Sequence, residues 1–206
     1  KLLIIDEFQD TSLCRFQFVE EIIKQTDASL CVVGDDYQSI YHFSGCDLTI
    51  FLNFARYFPD VKTYKLETTY RNSDELVKTA GMFVQKNPQQ VKKELKSKKH
   101  LLKPIKLVYY KNVETILEKV LQKIPEDKEI FILGRNHFDL KKYTKNLHYK
   151  QKENNEIVFY KFPHHKVRFL TVHASKGLES DMVILLNLEN TLYGFPSLQK
   201  DEKILS

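Results

Sequence analysis

The chain has 206 residues, 42% of them hydrophobic and 29% charged, with a formal net charge of +5. This composition is ordinary for a globular protein with a sizeable core, and the positive charge favours a polyanionic partner. No apolar run approaches the roughly 20 residues that cross a bilayer, which excludes a membrane span. The three cysteines form no CxxC pair, so we expect a reducing cytoplasm and no disulfide framework or zinc site.

Short apolar runs alternate with amphipathic segments along the chain. The apolar runs predict strands at residues 2–6, 30–34, 63–67, 105–110, 129–134, 157–160, 167–172 and 182–188. Helical spacing of apolar residues follows capping residues at Thr11/Ser12, Ser73 and Asn112, which predicts three helices that begin there. This alternation favours an α/β fold with parallel strands that are buried on both faces.

Two polar segments interrupt this pattern. Residues 86–103 contain most of the excess positive charge, concentrated in the run at 92–99, which is either a solvated connector or a track for phosphates. Residues 150–156 are predicted to form a polar loop.

Asp6 and Glu7 directly follow the first predicted strand. At the carboxyl end of a parallel strand they would face a ligand crevice, where one carboxylate can hold Mg²⁺ and the other can activate water. Two adjacent acids alone are equally compatible with a solvated acidic turn.

The second predicted strand opens into a similar polar loop. Gly34 allows a sharp turn, and the amide of Gln38 can sense a terminal phosphate. Tyr41 and Phe43 follow at a spacing of two, which could present both rings to the bases of a single strand. For either ring alone, core packing is the simpler interpretation.

The segments around these residues resemble motifs II (6–11) and III (34–41) of UvrD/Rep/PcrA-type superfamily-one helicases. Residues 66–72, 132–136 and 169–179 resemble motifs IV, IVa and V, in the family's order. Only residues 136–170 separate the last two motifs, too few for the large accessory domain of UvrD, Rep and PcrA. The resemblance is therefore closest to the helicase IV-like branch.

The resemblance implies an α/β fold of RecA-like, P-loop NTPase type, with part of a first domain at residues 1–61 and most of a second at 62–206. It implies an ATP-dependent DNA helicase or translocase that moves 3′ to 5′ and acts in DNA repair or recombination. ATP and Mg²⁺ would be its cofactors and single-stranded DNA its partner, in a bacterial-type cytoplasm close to the nucleoid.

The resemblance also implies roles for individual residues. Asp6 would bind Mg²⁺, Glu7 would activate water, and Gln38 and Arg71 would contact the γ-phosphate. The implied ATP-binding residues are Tyr70, which would stack on adenine, Gly177, and Glu179, which would meet the ribose. The implied DNA-binding residues are Tyr41, Phe43, Arg135, Asn136, Thr171 and His173.

The positions of the six glycines exclude a GxxxxGK[ST] phosphate loop within this sequence. In the family that loop precedes motif II, and a final arginine motif follows motif V. We therefore expect that these residues alone do not hydrolyse ATP. We also expect residues 2–61 to associate through uncovered strand edges or to be partly disordered.

Three alternatives stay open at the level of sequence. The same motor could serve a helicase–nuclease, or a degenerate motor domain could bind DNA or protein without catalysis. The chain could also be an unrelated α/β nucleotide-binding protein, although that alternative does not explain the segment at 171–179.

Overall fold

A computed structural model describes residues 1–41, 44–88 and 90–198. The chain divides into two compact units, Lys1–Lys106 and Leu107–Ser206. Within the described ranges, no helix is both long enough and apolar enough to cross a membrane.

The first unit begins with a β-α-β arrangement. Strands β1 (Leu2–Ile5) and β2 (Ser29–Val32) pair in parallel, and helix α1 (Leu13–Thr26) connects them. The predicted helix start is confirmed, because the Ser12 side chain accepts a hydrogen bond from the Arg15 amide and caps α1.

A small aromatic core holds this part of the unit together. Helices α2 (Leu48–Leu52) and α3 (Phe54–Tyr57) follow the second strand. The fully buried side chains of the core are those of Phe8, Phe16 and Ile50. The prediction that the strands are buried on both faces is wrong for β1, since Leu2 and Ile4 are each more than 60% exposed.

The rest of the first unit contains a short parallel pair and one helix. Strand β3 (Thr68–Thr69) pairs with β4 (Lys96–Ser97), and helix α4 (Asp74–Val84) lies between them in the chain. The predicted cap is confirmed, because Ser73 accepts from the Leu76 amide. The segment after α4 binds back to residues near β2, and the division between the units falls at Lys106.

The second unit is a sheet with helices. Helix α5 (Val113–Leu121) begins at the predicted cap Asn112. The other elements are β5 (Glu129–Gly134), α6 (Asp139–Tyr143), β6 (Tyr149–Gln151), β7 (Glu156–Phe159), β8 (Phe162–Thr171) and β9 (Met182–Leu185). The strand order is β6-β7-β8-β5-β9; β8, β5 and β9 are parallel, whereas β6 and β7 pair antiparallel at one edge.

The core of the second unit lies where α5 packs against this sheet. Leu121, Ile130, Ile132 and Ile157 are fully buried there. The apolar pattern of β5 thus correctly predicts a strand that is covered on both faces.

Three predictions about local structure are wrong. Residues 63–67 and 105–110 form no strand. Their apolar side chains are largely exposed, with Leu66, Leu107 and Tyr109 at least 70% accessible. An apolar segment forms a strand only where a partner strand is available for backbone hydrogen bonds. Residues 150–156, predicted as a loop, contain the end of β6, a 3₁₀ turn and the start of β7.

Candidate functional site

Asp6 and Glu7 lie at the carboxyl end of the parallel pair β1–β2. The Val33 amide donates to the carbonyl of Ile5 and the Phe8 amide donates to that of Val33, each at 2.9 Å, so the two strand ends are joined. Glu7 has a left-handed backbone (φ 52°), and its amide donates to Asp6 Oδ1 at 2.8 Å. Both carboxylates are exposed, so a ligand can reach them from solvent.

The fully buried side chain of Gln9 connects the two strand ends. Its Nε2 donates to Glu7 Oε2 at 2.5 Å, and its Oε1 accepts from the Asp35 amide at 2.9 Å. A buried amide must satisfy both of its ends, and here each end binds one of the two loops. This role of Gln9 is not among the predictions from the sequence, because its partner Asp35 lies 26 positions further along the chain.

Asp35 organises the loop after β2. Its Oδ1 accepts from the Tyr37 amide at 3.1 Å and caps a 3₁₀ turn, while its Oδ2 accepts from Gln38 Nε2 at 2.8 Å. Burial raises the pKa of Asp35, but hydrogen bonds from Lys93 and Gln38 outweigh it, so the pKa is lowered overall. Asp35 is therefore a carboxylate at neutral pH and fixes one N–H of Gln38.

Magnesium commonly binds proteins through one or two carboxylates together with phosphate oxygens and water. The exposed pair Asp6 and Glu7 fits that requirement. Across residues 1–41, 44–88 and 90–198, no group of three or more His, Cys, Asp or Glu side chains could hold a metal ion. A magnesium ion at Asp6 would take its other ligands from phosphate oxygens and water.

Tyr70 and Arg71 lie on the loop between β3 and α4. Tyr70 is 71% exposed, so it is accessible to a ligand from solvent. The loop is held by its backbone, because the Arg71 amide donates to Thr69 Oγ1 at 3.4 Å and Lys99 Nζ donates to the Arg71 carbonyl at 3.3 Å.

In the second unit, the predicted DNA-binding residues come together at the carboxyl ends of β5 and β8. Gly134 and Thr171 are register partners, and the Val172 amide donates to the Gly134 carbonyl at 3.0 Å. Arg135 and His173 therefore follow neighbouring strands at one sheet edge. Thr171 is buried, and its Oγ1 accepts from the Ala174 amide at 3.2 Å, which supports the turn after β8.

Aromatic and polar contacts hold Arg135 and Asn136. The Arg135 guanidinium lies 5.5 Å from the ring centroid of Phe195. The Asn136 amide donates to Asp139 Oδ2 at 2.9 Å, and its side chain donates to the Tyr193 carbonyl at 3.3 Å. These contacts make the loop after β5 an ordered feature of the sheet edge.

The remaining candidates are distributed over both units. Gly177 has a φ of +79°, a conformation that favours glycine in the turn after β8, and Glu179 is exposed. Tyr41 is partly exposed in the first unit, while Phe43 lies outside the described residues.

Comparison with known proteins shows which proteins the chain resembles. Residues 1–59 match the family model for the UvrD/REP helicase N-terminal domain. The homologues are UvrD-like superfamily-one helicases, which confirms the resemblance found in the sequence.

Individual relatives extend the similarity along the chain. DNA helicase IV of Escherichia coli K12 is 31% identical over 203 residues, covering 98% of this chain and 28% of that protein. The ATP-dependent DNA helicase Rep of Buchnera aphidicola (Schizaphis graminum) is 26% identical over 219 residues, 99% of this chain and 33% of that protein. The ATP-dependent DNA helicase PcrA of Bacillus subtilis is 32% identical over 107 residues, 52% of this chain and 14% of that protein. The chain thus spans about a third or less of each.

Proposed function

We propose that this chain forms part of the motor of an ATP-dependent DNA helicase or translocase that moves 3′ to 5′ on single-stranded DNA during repair or recombination. The observation that carries the proposal is the Gln9 bridge, which joins the loop of Glu7 to the loop of Asp35 and Gln38. A surface turn has no need of such a bridge. The names of the homologous helicases support the same activity.

The domain assignment is part of this proposal. Residues 1–61 would belong to a first RecA-like domain and residues 62–206 to a second. The parallel pairing of β1 with β2, and of β5 with β8 and β9, supports the assignment. Catalytic side chains at the carboxyl ends of parallel strands are the common arrangement of nucleotide-binding α/β folds.

The residues near β1 have distinct tasks in ATP hydrolysis. Because Gln9 occupies Glu7 Oε2, the other carboxylate oxygen, Oε1, would accept the proton of the attacking water. Asp6 would hold Mg²⁺, which when bound neutralises charge on the phosphate oxygens. Gln38 has one N–H fixed by Asp35 and would use its other amide atoms for the terminal phosphate and water.

Tyr70, Arg71, Gly177 and Glu179 would bind the nucleotide. Single-stranded DNA would follow the sheet edge with Arg135, Asn136, Thr171 and His173, and it would also contact Tyr41 and Phe43. The exposed ring of Tyr70 supports a stacking role. The shared sheet edge of Arg135 and His173 supports a common DNA contact.

The test uses the full-length protein and its ATPase activity with and without single-stranded DNA. Glu7→Gln preserves the shape of the side chain but removes the base, so we expect the stimulated activity to fall at least about a hundredfold. Glu21→Gln, on the exposed face of α1, is the matched control and should leave the activity unchanged. A wild-type protein that binds DNA but does not hydrolyse ATP would instead establish a non-catalytic binding module.

A further inference from the structure

Lys93 is a partly buried lysine outside the motifs that carry the family resemblance. It lies in the basic run 92–99, in which Lys92, Lys96 and Lys98 are exposed. The side chain of Lys93 is only 15% exposed, and the Gln85 side chain donates to its carbonyl at 2.7 Å. Lys93 therefore has a fixed position where its neighbours are solvated.

The ammonium group of Lys93 binds both acidic residues of the loop after β2. Its Nζ lies 2.7 Å from Asp35 Oδ1 and also pairs with Asp36, whose side chain is fully buried. It also lies 4.4 Å from the ring centroid of Tyr37. The Asp36 Oδ2 accepts from the Val91 amide at 2.7 Å, so the backbone of the same segment binds this loop.

A single residue, Asp35, connects Lys93 to Gln38, the proposed phosphate sensor. Asp35 accepts from Lys93 with Oδ1 and from Gln38 Nε2 with Oδ2. A carboxylate that accepts on both oxygens has a fixed plane, and the fixed plane determines where Gln38 is held. The Asp35 amide donates to Gln9 Oε1, so the backbone that carries this carboxylate is also held in place.

The charge of Lys93 at neutral pH allows it to remain bound to this loop. Burial lowers the pKa of Lys93, but its bonds to Asp35 and Asp36 outweigh that effect and raise the pKa overall. Lys93 therefore stays cationic at neutral pH. A neutral replacement of Lys93 would remove the cation that pairs with Asp35 and Asp36.

We propose that Lys93 is a positioning residue for ATP hydrolysis, which orients Gln38 through the carboxylate of Asp35. The proposal rests on the proposed motor function and adds a residue from the segment after α4 to its nucleotide site. It also assigns Lys93 a role separate from any contact of the basic run with DNA.

A double-mutant cycle in the full-length protein tests this assignment, with DNA-stimulated ATPase kinetics as the measurement. Lys93→Met should lower kcat about tenfold or more in the wild-type background, because a displaced catalytic group loses its alignment. In a Gln38→Ala background the same change should have almost no further effect on kcat. Lys93→Arg should recover much of the activity, and Lys86→Met, an exposed lysine after α4, is the control.

Equal fold-losses from Lys93→Met in both backgrounds would overturn the proposal, since a purely structural lysine acts independently of Gln38. If Lys93→Met does not fold, Asp35→Asn replaces it in the cycle, because it leaves Lys93 balanced by Asp36 alone. The same non-additivity with Gln38→Ala is expected, and additivity overturns the proposal. A wild-type protein without ATPase activity would overturn the motor function itself, which distinguishes the two failures.

Discussion

Gly34 and Gln9 approach so closely that a Cβ at position 34 would lie 2.7 Å from Gln9 Oε1 and 2.8 Å from Phe51 Cε2. Gly34→Ala must therefore displace the buried amide that joins Glu7 to Asp35. We expect the free energy of unfolding of the chain to fall by about 1–3 kcal/mol, the usual cost of overpacking. Denaturant unfolding of the 206-residue chain measures the change.

Gly81 provides the control for this substitution. It lies within α4, and a Cβ there would meet no atom within 4 Å. Gly81→Ala should be neutral or should stabilise the chain by up to about 1 kcal/mol, because alanine is the better helix former. Equal stability of the two variants would contradict the close packing at Gly34.

Gln9 can be tested through its own hydrogen bonds. Gln9→Ala would leave the Asp35 amide without its acceptor and Glu7 without its donor. We expect a loss of about 1–3 kcal/mol in the free energy of unfolding, the cost of an unsatisfied buried polar group. In the full-length protein, ATPase activity should fall as well.

The matched control for Gln9 is Gln25. Its Nε2 donates to Glu21 Oε1 at 2.8 Å, the same pair of groups on the exposed surface of α1. Gln25→Ala should change the free energy of unfolding by no more than about 0.5 kcal/mol. A loss at Gln25 as large as that at Gln9 would show that burial is not what makes the bridge important.

Features that depend on neighbouring residues are predictable from the sequence. The caps at Ser12, Ser73 and Asn112 were found because a capping side chain bonds to an amide two or three positions later. Strand β5 is predictable because four consecutive apolar residues follow Glu129, a pattern typical of a strand covered on both faces.

Features that depend on distant partners were missed. The runs at 63–67 and 105–110 have strand-like composition, but composition does not reveal whether a partner strand is available. Lys93 and Asp35 are 58 positions apart, so nothing local distinguishes Lys93 from the solvated lysines around it. The site residues found by resemblance were recognisable only because the motifs occur in order.

Protonation of Glu75 should lower the stability of the folded chain at acidic pH. Hydrogen bonds from the Leu101 amide, from its own amide and from His100 lower the pKa of Glu75 from 4.5 to about 2. Since the folded-state pKa lies below the unfolded value, the stabilisation is present above pH 4.5 and is lost as the pH falls towards 2. Glu75→Gln should flatten the dependence of the unfolding midpoint on pH in that window.

The measurement for Glu75 is a series of thermal unfolding curves between pH 2 and pH 6. Glu67→Gln, an exposed glutamate in the same unit, serves as the control and should keep the wild-type dependence. If Glu75→Gln has the same pH profile as the wild type, the hydrogen bonds around Glu75 do not stabilise the folded state.

The basic run at 92–99 should affect how strongly DNA binding depends on salt concentration. Lys92, Lys96 and Lys98 are exposed, whereas Lys93 is engaged with Asp35 and Asp36. If the exposed lysines contact phosphates, their combined change to glutamine should reduce the salt dependence of binding to single-stranded DNA by about 0.7 in logarithmic slope per lost contact. Titrations at several salt concentrations give the slope.

A second triple variant controls for net charge in this experiment. Lys119, Lys123 and Lys145 are exposed in the second unit, and their change to glutamine removes the same charge elsewhere. We expect a smaller loss of slope from this variant. Equal slopes in the wild type and the variant at positions 92, 96 and 98 would assign the basic run to a solvated connector.

The 206-residue chain by itself should associate through its first unit. Among the described residues β1 and β2 pair only with each other, and Leu2, Ile4 and Phe18 are each more than 60% exposed. Uncovered strands with apolar side chains recruit other strands. Sedimentation velocity should therefore detect species larger than a monomer. Ile4→Lys should shift the distribution towards the monomer because it places a charge on the exposed face.

Leu102→Lys is the control, because it changes a leucine that is 93% exposed outside this sheet and should leave the distribution as it is. A monodisperse wild-type monomer would contradict association through these strands.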